Sequence, residues 1–400
     1  MKRKKTGIPI WQDTHKRQFI WQFLFALIAL YVVSAGYGNI IDSLARIGMV
    51  PSFKFLKMPS NFNLGDSFIS VTNTSSNSIM LLAGFLNTIS ISFLAIVFSI
   101  FLGLAIALCR LSSNWLLKKM ATIYIEIIRN IPLLLLLLLW YRAFFLRMPG
   151  IREGVIWGSS LLADGSQQVL LSLSNRGFSV AWLVPTAYFK TYRWFVLAGL
   201  VLAVLLCSFL VWKQQRTGKK QAILFYPILL FLGFAFISYH LLPQKAFYLD
   251  IPVMKRFNLE GGLHITAEWF SLFSGLVLYT SAFVAEIFRS GLQGVSKGQV
   301  EAARALGLSH YQTLRLVVIP QAKVVVIPPL TSQCLGVAKN TSLGVAIGFP
   351  DLFSITGTMI NQTGRAMEMI LIAMAIYLGL SLLTSYIMNI YNKHILIKER

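Results

Sequence analysis

Long apolar runs alternate with shorter polar stretches along most of this chain of 400 residues. An apolar run of about 18 residues or more is long enough to cross a bilayer as an α-helix. The pattern therefore predicts an all-α fold, a polytopic membrane helix bundle with about eight transmembrane helices. The predicted helices cover residues 19–38, 82–109, 121–146, 195–212, 222–242, 266–289, 323–348 and 367–390.

The composition excludes a soluble protein. Hydrophobic residues make up 56% of the chain and charged residues only 12%, whereas a soluble domain needs about a quarter of charged residues to cover its surface. The histidines and cysteines form no cluster at metal-ligand spacing, so we expect no metal site. The phosphate-binding pattern GxxxxGK[ST] is absent from the sequence, so we also expect no nucleotide site on this chain.

The formal net charge of +22 indicates membrane topology, because Lys and Arg are retained on the cytoplasmic side. Basic residues are concentrated near the N-terminus, in segment 213–220, in the loop that follows residue 289 and at the C-terminus. Both termini are therefore predicted to be cytoplasmic, and stretches 39–81 and 147–194 to lie outside. With no recognition motif beside the charge, we expect no nucleic-acid partner.

The outer stretch 147–194 contains two short apolar segments, 155–163 and 168–174. Neither is long enough to span a bilayer. We predict that both segments lie at the membrane interface.

A polar, helix-competent loop at about 290–322 interrupts the apolar runs near the C-terminal end. The spacing predicts two short helices, each opened by a capping box, with Gly307 between them where a helix end needs a positive φ. The two capping boxes would be Ser296 with Gln299 and Ser309 with Gln312. Such a loop forms a rigid knob that fits a groove in a partner, or alternatively a surface helix that rests on lipid headgroups.

The first predicted helix of this loop has small residues beside charged ones. Ala302 and Ala303 lack bulk, so another protein could approach the backbone closely there. Glu301 and Arg304 would offer polar anchors beside that contact. The pattern favours a cytoplasmic docking element.

The motif Glu301-Ala302-Ala303, three residues, Gly307, nine residues, Val317-Val318-Ile319-Pro320 resembles the EAA loop of bacterial ABC-importer permeases. That family has Ile where this chain has Val317, and Leu-Pro where it has Ile319-Pro320. Further segments are similar to the polar amino-acid branch of the family: residues 84–89, 125–133, 285–289 and 339–343. The added spans and the middle insertion resemble general L-amino-acid permeases of Gram-negative bacteria.

The resemblance implies a type I ABC-importer transmembrane domain over residues 82–392, with an insertion at about 147–264 and the EAA loop at about 290–322. Residues 1–81 would then form a cytoplasmic tail, an extra transmembrane helix and a periplasmic segment. Residues 393–400 would form a second cytoplasmic tail.

The function implied by the resemblance is that of a permease subunit in an ATP-driven, binding-protein-dependent importer of L-amino acids. The chain would sit in the lipid bilayer of the bacterial inner membrane and would not be an enzyme. It would bind no cofactor, since ATP and Mg would be used by a partner ATPase. The implied partners are two ATP-binding subunits at the EAA loop, a second homologous permease in a heterodimer or homodimer, and a periplasmic amino-acid-binding protein.

Two charged pairs lie near predicted cytoplasmic helix ends, where charges cost least. Glu126 with Arg129, and Glu286 with Arg289, are three residues apart, which places each pair on one helical face. Each pair is either a structural ion pair that reaches the interface or part of a cytoplasmic gate between two permease subunits.

A polar group interrupts an apolar run deep inside a predicted span. It consists of Lys339, Asn340, Thr341 and Ser342. A broken helix that lines a translocation pathway would satisfy these groups and expose backbone to a zwitterionic solute. The alternative is that they hydrogen-bond a neighbouring helix.

A second class of function is an ion- or proton-coupled secondary amino-acid carrier. Such carriers usually hold acids near the membrane midplane as coupling-ion sites. Here Glu126 and Glu286 are predicted near the cytoplasmic ends of their helices, and a carrier would leave the EAA loop unexplained. The sequence therefore favours the ATP-driven importer.

Overall fold

A computed structural model describes residues 14–46, 52–161, 166–217, 223–255 and 259–395. The basic residues before 14, those of turn 218–222 and those after 395, all predicted to be cytoplasmic, lie outside the described residues.

Twelve α-helices are present in the described part of the chain, and short 3-10 or π-helical turns extend several of them. They are α1 (Thr14–Arg46), α2 (Asn77–Leu111), α3 (Trp115–Asn130), α4 (Leu133–Leu139), α5 (Phe189–Thr217), α6 (Phe225–Leu241), α7 (Ala267–Gln293), α8 (Lys297–Ala305), α9 (His310–Thr313), α10 (Ile319–Asn340), α11 (Leu352–Thr363) and α12 (Ala366–Ile395). The mostly helical fold predicted from the sequence is confirmed.

Six helical segments among the described residues are long and apolar enough to cross a membrane, and α3 with α4 makes a seventh if the two count as one span. The run predicted at 222–242 forms α6, which has 17 residues and a length of about 25 Å. That is shorter than a typical bilayer core. The structure therefore supports six or seven spans by length rather than the predicted eight.

The span predicted as one helix at 121–146 is broken. Its two parts, Trp115–Asn130 and Leu133–Phe145, meet at an angle of 106°. The cause is Pro132, which removes a backbone N–H donor and disfavours helical geometry at the residue before it. Ile131 accordingly has φ −95° and ψ 127°. The span predicted at 121–146 is therefore not one continuous helix.

The two short apolar segments that were predicted to lie at the membrane interface form β-strands, and their position relative to the membrane stays a prediction. Antiparallel pairing joins six strands in the order β7-β6-β2-β3-β8, with β1 also paired to β2. Strands β4 and β5 form a separate antiparallel pair. The strands are β1 (Val155–Leu161), β2 (Gln167–Ser174), β3 (Gly177–Val180), β4 (Trp182–Pro185), β5 (Phe247–Asp250), β6 (Val253–Met254), β7 (Leu259–Glu260) and β8 (Leu263–Thr266).

The sheet forms because strands from the two ends of the insertion satisfy one another's backbone groups. Residues 155–161 pair with 167–173, and 177–180 pair with 263–266 across the sheet. The tight turn before β3 needs a glycine: Gly177 has φ +118°, and a Cβ there would lie 2.1 Å from the carbonyl oxygen of Ile265. A lone apolar segment on a lipid surface would lack these partners.

Helices α5 and α6 form a hairpin between the paired strands β4 and β5. Their seam is close because Gly199 has no side chain and the ring of Phe234 packs against it. The hydroxyl of Tyr192 on α5 donates to the backbone carbonyl of Ala235 on α6 at 3.2 Å. The hairpin is thus an apolar insertion within the sheet region.

The chain divides into two compact units. One unit comprises residues up to 86 together with 352–383, and the other comprises 87–351 together with the residues from 384 onward. In the first unit, Phe55 packs in a buried core with residues of α2, α11 and α12. In the second, α7 lies at the centre of a buried core that includes Leu137, Leu272 and Phe349.

Helix α10 has an unusual interior. Pro328 and Pro329 lie in succession within the helix. The helix follows a π-helical turn at Leu314–Val318 and leads into a 3-10 turn at Thr341–Ile347. It therefore changes geometry at both ends and has two interrupted hydrogen bonds in the middle.

Candidate functional site

The loop between α7 and α10 ends its first helix with a Schellman motif. The N–H of Leu308 donates to the carbonyl of Ala303 at 3.2 Å, and the N–H of Gly307 donates to that of Arg304 at 2.9 Å. Gly307 has φ +76°, the left-handed geometry that the sequence predicts at this position. The turn fixes the angle between α8 and α9.

Only one of the two predicted capping boxes is present. Ser309 accepts a hydrogen bond from the N–H of Gln312, whose side chain accepts one from the N–H of Ser309. Ser296 makes no side-chain cap bond, and the N–H of Gln299 donates to its backbone carbonyl instead. The prediction of a capping box at Ser296 is therefore wrong, because a backbone turn already occupies the N–H of Gln299.

The loop exposes both charged and apolar side chains. Glu301, Ala302 and Arg304 are exposed, while Ala303 is buried at 4% exposure. Leu306 is 82% exposed and Tyr311 is 66% exposed. Of the two alanines predicted to meet a partner, only Ala302 is accessible in this chain.

The two ends of the loop are in contact with each other. Gly291 on α7 faces Val326 on α10, and a Cβ at Gly291 would lie 2.2 Å from a methyl group of that valine. The side-chain amide of Gln321 donates to that of Gln299 at 3.4 Å. A displacement of the loop therefore acts on α7 and α10 together.

The carboxylate of Glu286 is bound by two arginines. Arg289 donates from Nε at 3.0 and 3.1 Å and also forms an ion pair through its terminal nitrogen. Arg110 on α2 forms a second ion pair with the same carboxylate. The predicted contact between Glu286 and Arg289 is confirmed, whereas Arg110 was missed because it is 176 residues away in sequence.

The other predicted pair is not formed among the described residues. Glu126 and Arg129 are both exposed, and no ion pair joins them. The guanidinium of Arg129 instead lies 5.2 Å from the ring centroid of Phe283 on α7, a cation–π contact. The prediction of a Glu126–Arg129 ion pair is wrong, because the aromatic face offers the arginine a partner on the neighbouring helix.

The polar group at the end of α10 marks a change of helix type. Lys339 and Asn340 close the α-helix, and Thr341 and Ser342 begin the 3-10 turn. The hydroxyl of Thr341 donates to the carbonyl of Ala338, and that of Ser342 to the carbonyl of Lys339. These two hydroxyls are thus used within their own helix, not on a neighbouring one.

The charge of this group is accessible. The side chain of Lys339 is exposed, and no ion pair within the described ranges includes it. Asn340 and Ser342 are half-buried, and Thr341 is buried. The helix changes from α to 3-10 geometry at this group.

Several polar contacts to α7 were not predicted from the sequence. The hydroxyl of Tyr124 on α3 donates to the carbonyl of Leu278 at 2.7 Å. The indole of Trp140 donates to the hydroxyl of Ser274 at 2.8 Å. Each contact joins residues more than 130 positions apart, so no local spacing signals it.

An ion pair with a buried carboxylate in the other compact unit was also missed. Arg365 pairs with Glu368 at 2.9 Å, and the N–H of Ser52 donates to the same carboxylate at 3.1 Å. The three-residue spacing of this pair matches that of Glu286 and Arg289, so the same signal could have found it.

Comparison with known proteins identifies relatives over almost the whole chain. A family described as "Binding-protein-dependent transport system inner membrane component" matches residues 221–397. The YhdX protein of Escherichia coli is 40% identical over 96% of this chain and 95% of its own length. The general L-amino acid transport system permease protein AapQ of Rhizobium johnstonii is 37% identical over 97% of this chain and 94% of its own.

A third relative comes from Rhodobacter capsulatus. It is the glutamate/glutamine/aspartate/asparagine transport system permease protein BztB, which is 34% identical over 97% of this chain and 96% of its own length. The similarity in all three cases includes the middle insertion.

Proposed function

Because the chain belongs to the family of binding-protein-dependent transport system inner membrane components, we propose that it carries L-amino acids across the bacterial inner membrane as one subunit of an ATP-driven importer. The chain is a permease and an integral membrane protein. The substrate class follows the names of two relatives, a general L-amino acid permease and a permease for glutamate, glutamine, aspartate and asparagine.

The observation that carries this proposal is the docking loop between α7 and α10. Leu306 and Tyr311 are the most exposed of the large apolar side chains on this loop, and such exposure is costly unless a partner covers them. Glu301 and Arg304 beside them are exposed charges that can orient such a partner. The partner of this loop is an ATP-binding subunit, present in two copies, which uses ATP and Mg.

The remaining partners follow from the same assignment. A second, homologous permease completes the membrane domain, and a periplasmic amino-acid-binding protein delivers the substrate from outside. In this arrangement both termini and the docking loop are cytoplasmic, and the β-sheet is periplasmic. Only one membrane crossing, α7, separates the sheet from the loop.

The candidate translocation pathway runs past the end of α10. The exposed ammonium of Lys339 can attract the carboxylate of an amino acid, and the 3-10 turn that starts at Thr341 presents backbone groups differently from an α-helix. Asn340 and Ser342 are half-buried beside it and offer further polar contacts. Alternating access then requires two states that ATP binding stabilises differently.

Uptake by the reconstituted complex tests the proposal. Proteoliposomes with the permease pair and its ATPase should take up L-amino acids only when ATP and the binding protein are present. Uptake should persist when a protonophore removes the proton gradient and should stop when the ATPase cannot hydrolyse ATP. Uptake that follows the proton gradient and ignores ATP would instead indicate the secondary carrier.

A substitution at Leu306 tests the docking loop itself. Leu306→Asp should prevent co-purification of the ATPase and lower ATP-driven uptake at least tenfold, because a charge replaces an apolar contact. Leu161→Asp on β1 is a matched control, since Leu161 is 80% exposed against 82% for Leu306. Retention of the ATPase by Leu306→Asp, at the level of the control, would contradict the docking assignment.

A further inference from the structure

The ion pair between Arg110 and Glu286 joins two helices at one end of the bundle. Arg110 is the second-last residue of α2, and Glu286 lies about two turns before the end of α7. Both side chains are largely shielded, at 22% and 24% exposure. A shielded ion pair is more costly to break than one in open water.

The same seam is closed by small residues and by α3. Gly103 on α2 lies against Val284 on α7, so closely that a Cβ at Gly103 would lie 2.6 Å from a methyl group of the valine. Ala107 on α2, Ile125 on α3 and Ala285 on α7 form one buried cluster. The three helices therefore pack as a continuous block beside the ion pair.

A hydrogen bond also ties α3 to α7. The hydroxyl of Tyr124 is 2.8 Å from the hydroxyl of Ser281, in addition to its bond with the carbonyl of Leu278. Because α7 leads directly into the docking loop, this block is the part of the membrane domain next to the loop. The rigidity of this block of α2, α3 and α7 determines whether a displacement of the loop moves α7 alone or all three helices.

The carboxylate of Glu286 is already occupied within its own chain. Arg289 and Arg110 together provide three donor nitrogens. An isolated carboxylate could bind a cation of a second permease, but this one would first have to give up contacts inside its own subunit. The geometry favours a contact within the subunit over a gate between subunits.

We propose that Arg110 is a positioning residue that fastens α2 to α7 through Glu286, so that α2, α3 and α7 move as one body when the docking loop is displaced. The inference rests on the proposed function and assigns a coupling role to a residue outside the loop. Without Arg110, the loop and α7 shift while α2 lags behind, and ATP hydrolysis is no longer converted fully into transport.

The first test measures transport and ATP hydrolysis together in the reconstituted full complex. Arg110→Ala should leave ATP hydrolysis within twofold of the wild type and lower the number of amino acids moved per ATP at least fivefold. Arg110→Lys keeps the charge and should restore most of that ratio. Lys119→Ala removes an exposed cation from α3 and is the matched control.

A charge exchange distinguishes loss of the ion pair from a general failure of the complex to assemble. Arg110→Glu combined with Glu286→Arg should restore the complex, and its transport per ATP, to at least half of the wild-type value, whereas each single change should not. A purely structural defect at either position would give no such mutual rescue. An exchange no better than the worse single variant would overturn the proposal.

A second readout does not depend on transport. Spin labels at Leu108 on α2 and Ser290 on α7, both exposed, should give one narrow distance distribution with and without ATP. The distribution should broaden in Arg110→Ala and narrow again in the charge exchange. A wild-type distance that changes with ATP would refute the proposal that α2 and α7 move as one body, whether or not transport is ATP-driven. A constant distance without ATP-driven uptake would refute only the proposed function. An unchanged transport ratio in Arg110→Ala would overturn the coupling role.

Discussion

Missing side chains decide how closely the helices of this permease approach one another. A Cβ at Gly103 would lie 2.8 Å from the Cβ of Val284 and 3.0 Å from the carbonyl oxygen of Ser281, whereas a Cβ at Gly291 would meet only the outer methyl group of Val326 below 3.0 Å. At Gly103 the limiting atoms include a Cβ and a backbone oxygen, which a substitution by alanine does not remove. The site at Gly291 is closed by one methyl group.

This difference predicts opposite outcomes in two double substitutions. Gly291→Ala should destabilise the permease by about 1–3 kcal/mol through overpacking, and Val326→Ala should restore most of the loss, because the remaining Cβ contact would be 3.6 Å. Gly103→Ala should not be rescued by Val284→Ala. Thermal unfolding of the purified complex, with both single alanine variants as controls, measures each effect.

The reverse pattern would show that the helix seams are not as close as described. Rescue at Gly103 by Val284→Ala would mean that α2 is free to move away from α7. Failure of rescue at Gly291 would mean that the backbone of α10, not the methyl group, limits the approach.

Residue-level contacts could be predicted only where they are local in sequence. Glu286 and Arg289 are three residues apart, so helical geometry alone brings them together. Arg110 joins the same carboxylate only because α2 packs against α7, and sequence spacing carries no information about that packing. Arg129 shows that local spacing alone can mislead. Its guanidinium contacts the aromatic ring of Phe283 on α7 rather than the nearby carboxylate of Glu126.

Among the elements, the α5–α6 hairpin is attached to the rest of the chain at a single pair of strands. Pro185 on β4 is the register partner of Phe247 on β5, and the N–H of Thr186 donates to the carbonyl of Ala246 at 2.9 Å. The chain thus leaves and returns at almost the same point. The two strands can be closed by a short turn in place of the hairpin.

Excision of the hairpin tests whether it contributes to transport. Joining Thr186 to Ala246 through Asn-Gly, a favoured two-residue hairpin turn, should keep the β4–β5 pair and leave ATP-driven uptake within about threefold of the wild type. Uptake and the amount of assembled complex are measured together. A tenfold loss of uptake with normal assembly would show that the hairpin takes part in transport.

Element boundaries were predictable where the sequence carries a strong local signal. Gly307 ends α8 because its left-handed φ disfavours other residues, and this was predicted from the pattern. Pro132 carries an equally strong signal for the break between α3 and α4, but the long apolar run around it outweighed that signal. Strand β3 pairs with β8, which follows the α5–α6 hairpin in the chain, so no local spacing signals that pairing.

At the scale of the whole molecule, the sheet and the docking loop lie at opposite ends of α7, since β8 leads into the helix and the loop follows it. The loop carries the family motif, and this motif was sufficient to predict the family from the sequence. By length, six or seven described helices can cross a membrane against about eight predicted, because an apolar run shows composition but not the length of the helix it forms. The sidedness of the chain follows from the charge pattern and is open to direct measurement.

Cysteine accessibility measures that sidedness. After Cys109, Cys207 and Cys334 are replaced, Ser159→Cys on β1 should react with a membrane-impermeant thiol reagent in intact spheroplasts if β1 is periplasmic as proposed. Leu306→Cys, expressed without the ATP-binding subunit that would cover it, should react only in inverted vesicles. Both side chains are exposed, so reactivity reports the side and not burial, and labelling of both from one side would contradict the topology.

Two successive prolines in α10 give this helix a preferred bending point. Pro328 and Pro329 cannot donate to the carbonyls of Val324 and Val325, four residues earlier. Torque applied at the end of α10 next to the docking loop would therefore be absorbed as curvature at this point. The segment that carries Lys339 can then tilt through a different angle from the segment that begins at Ile319.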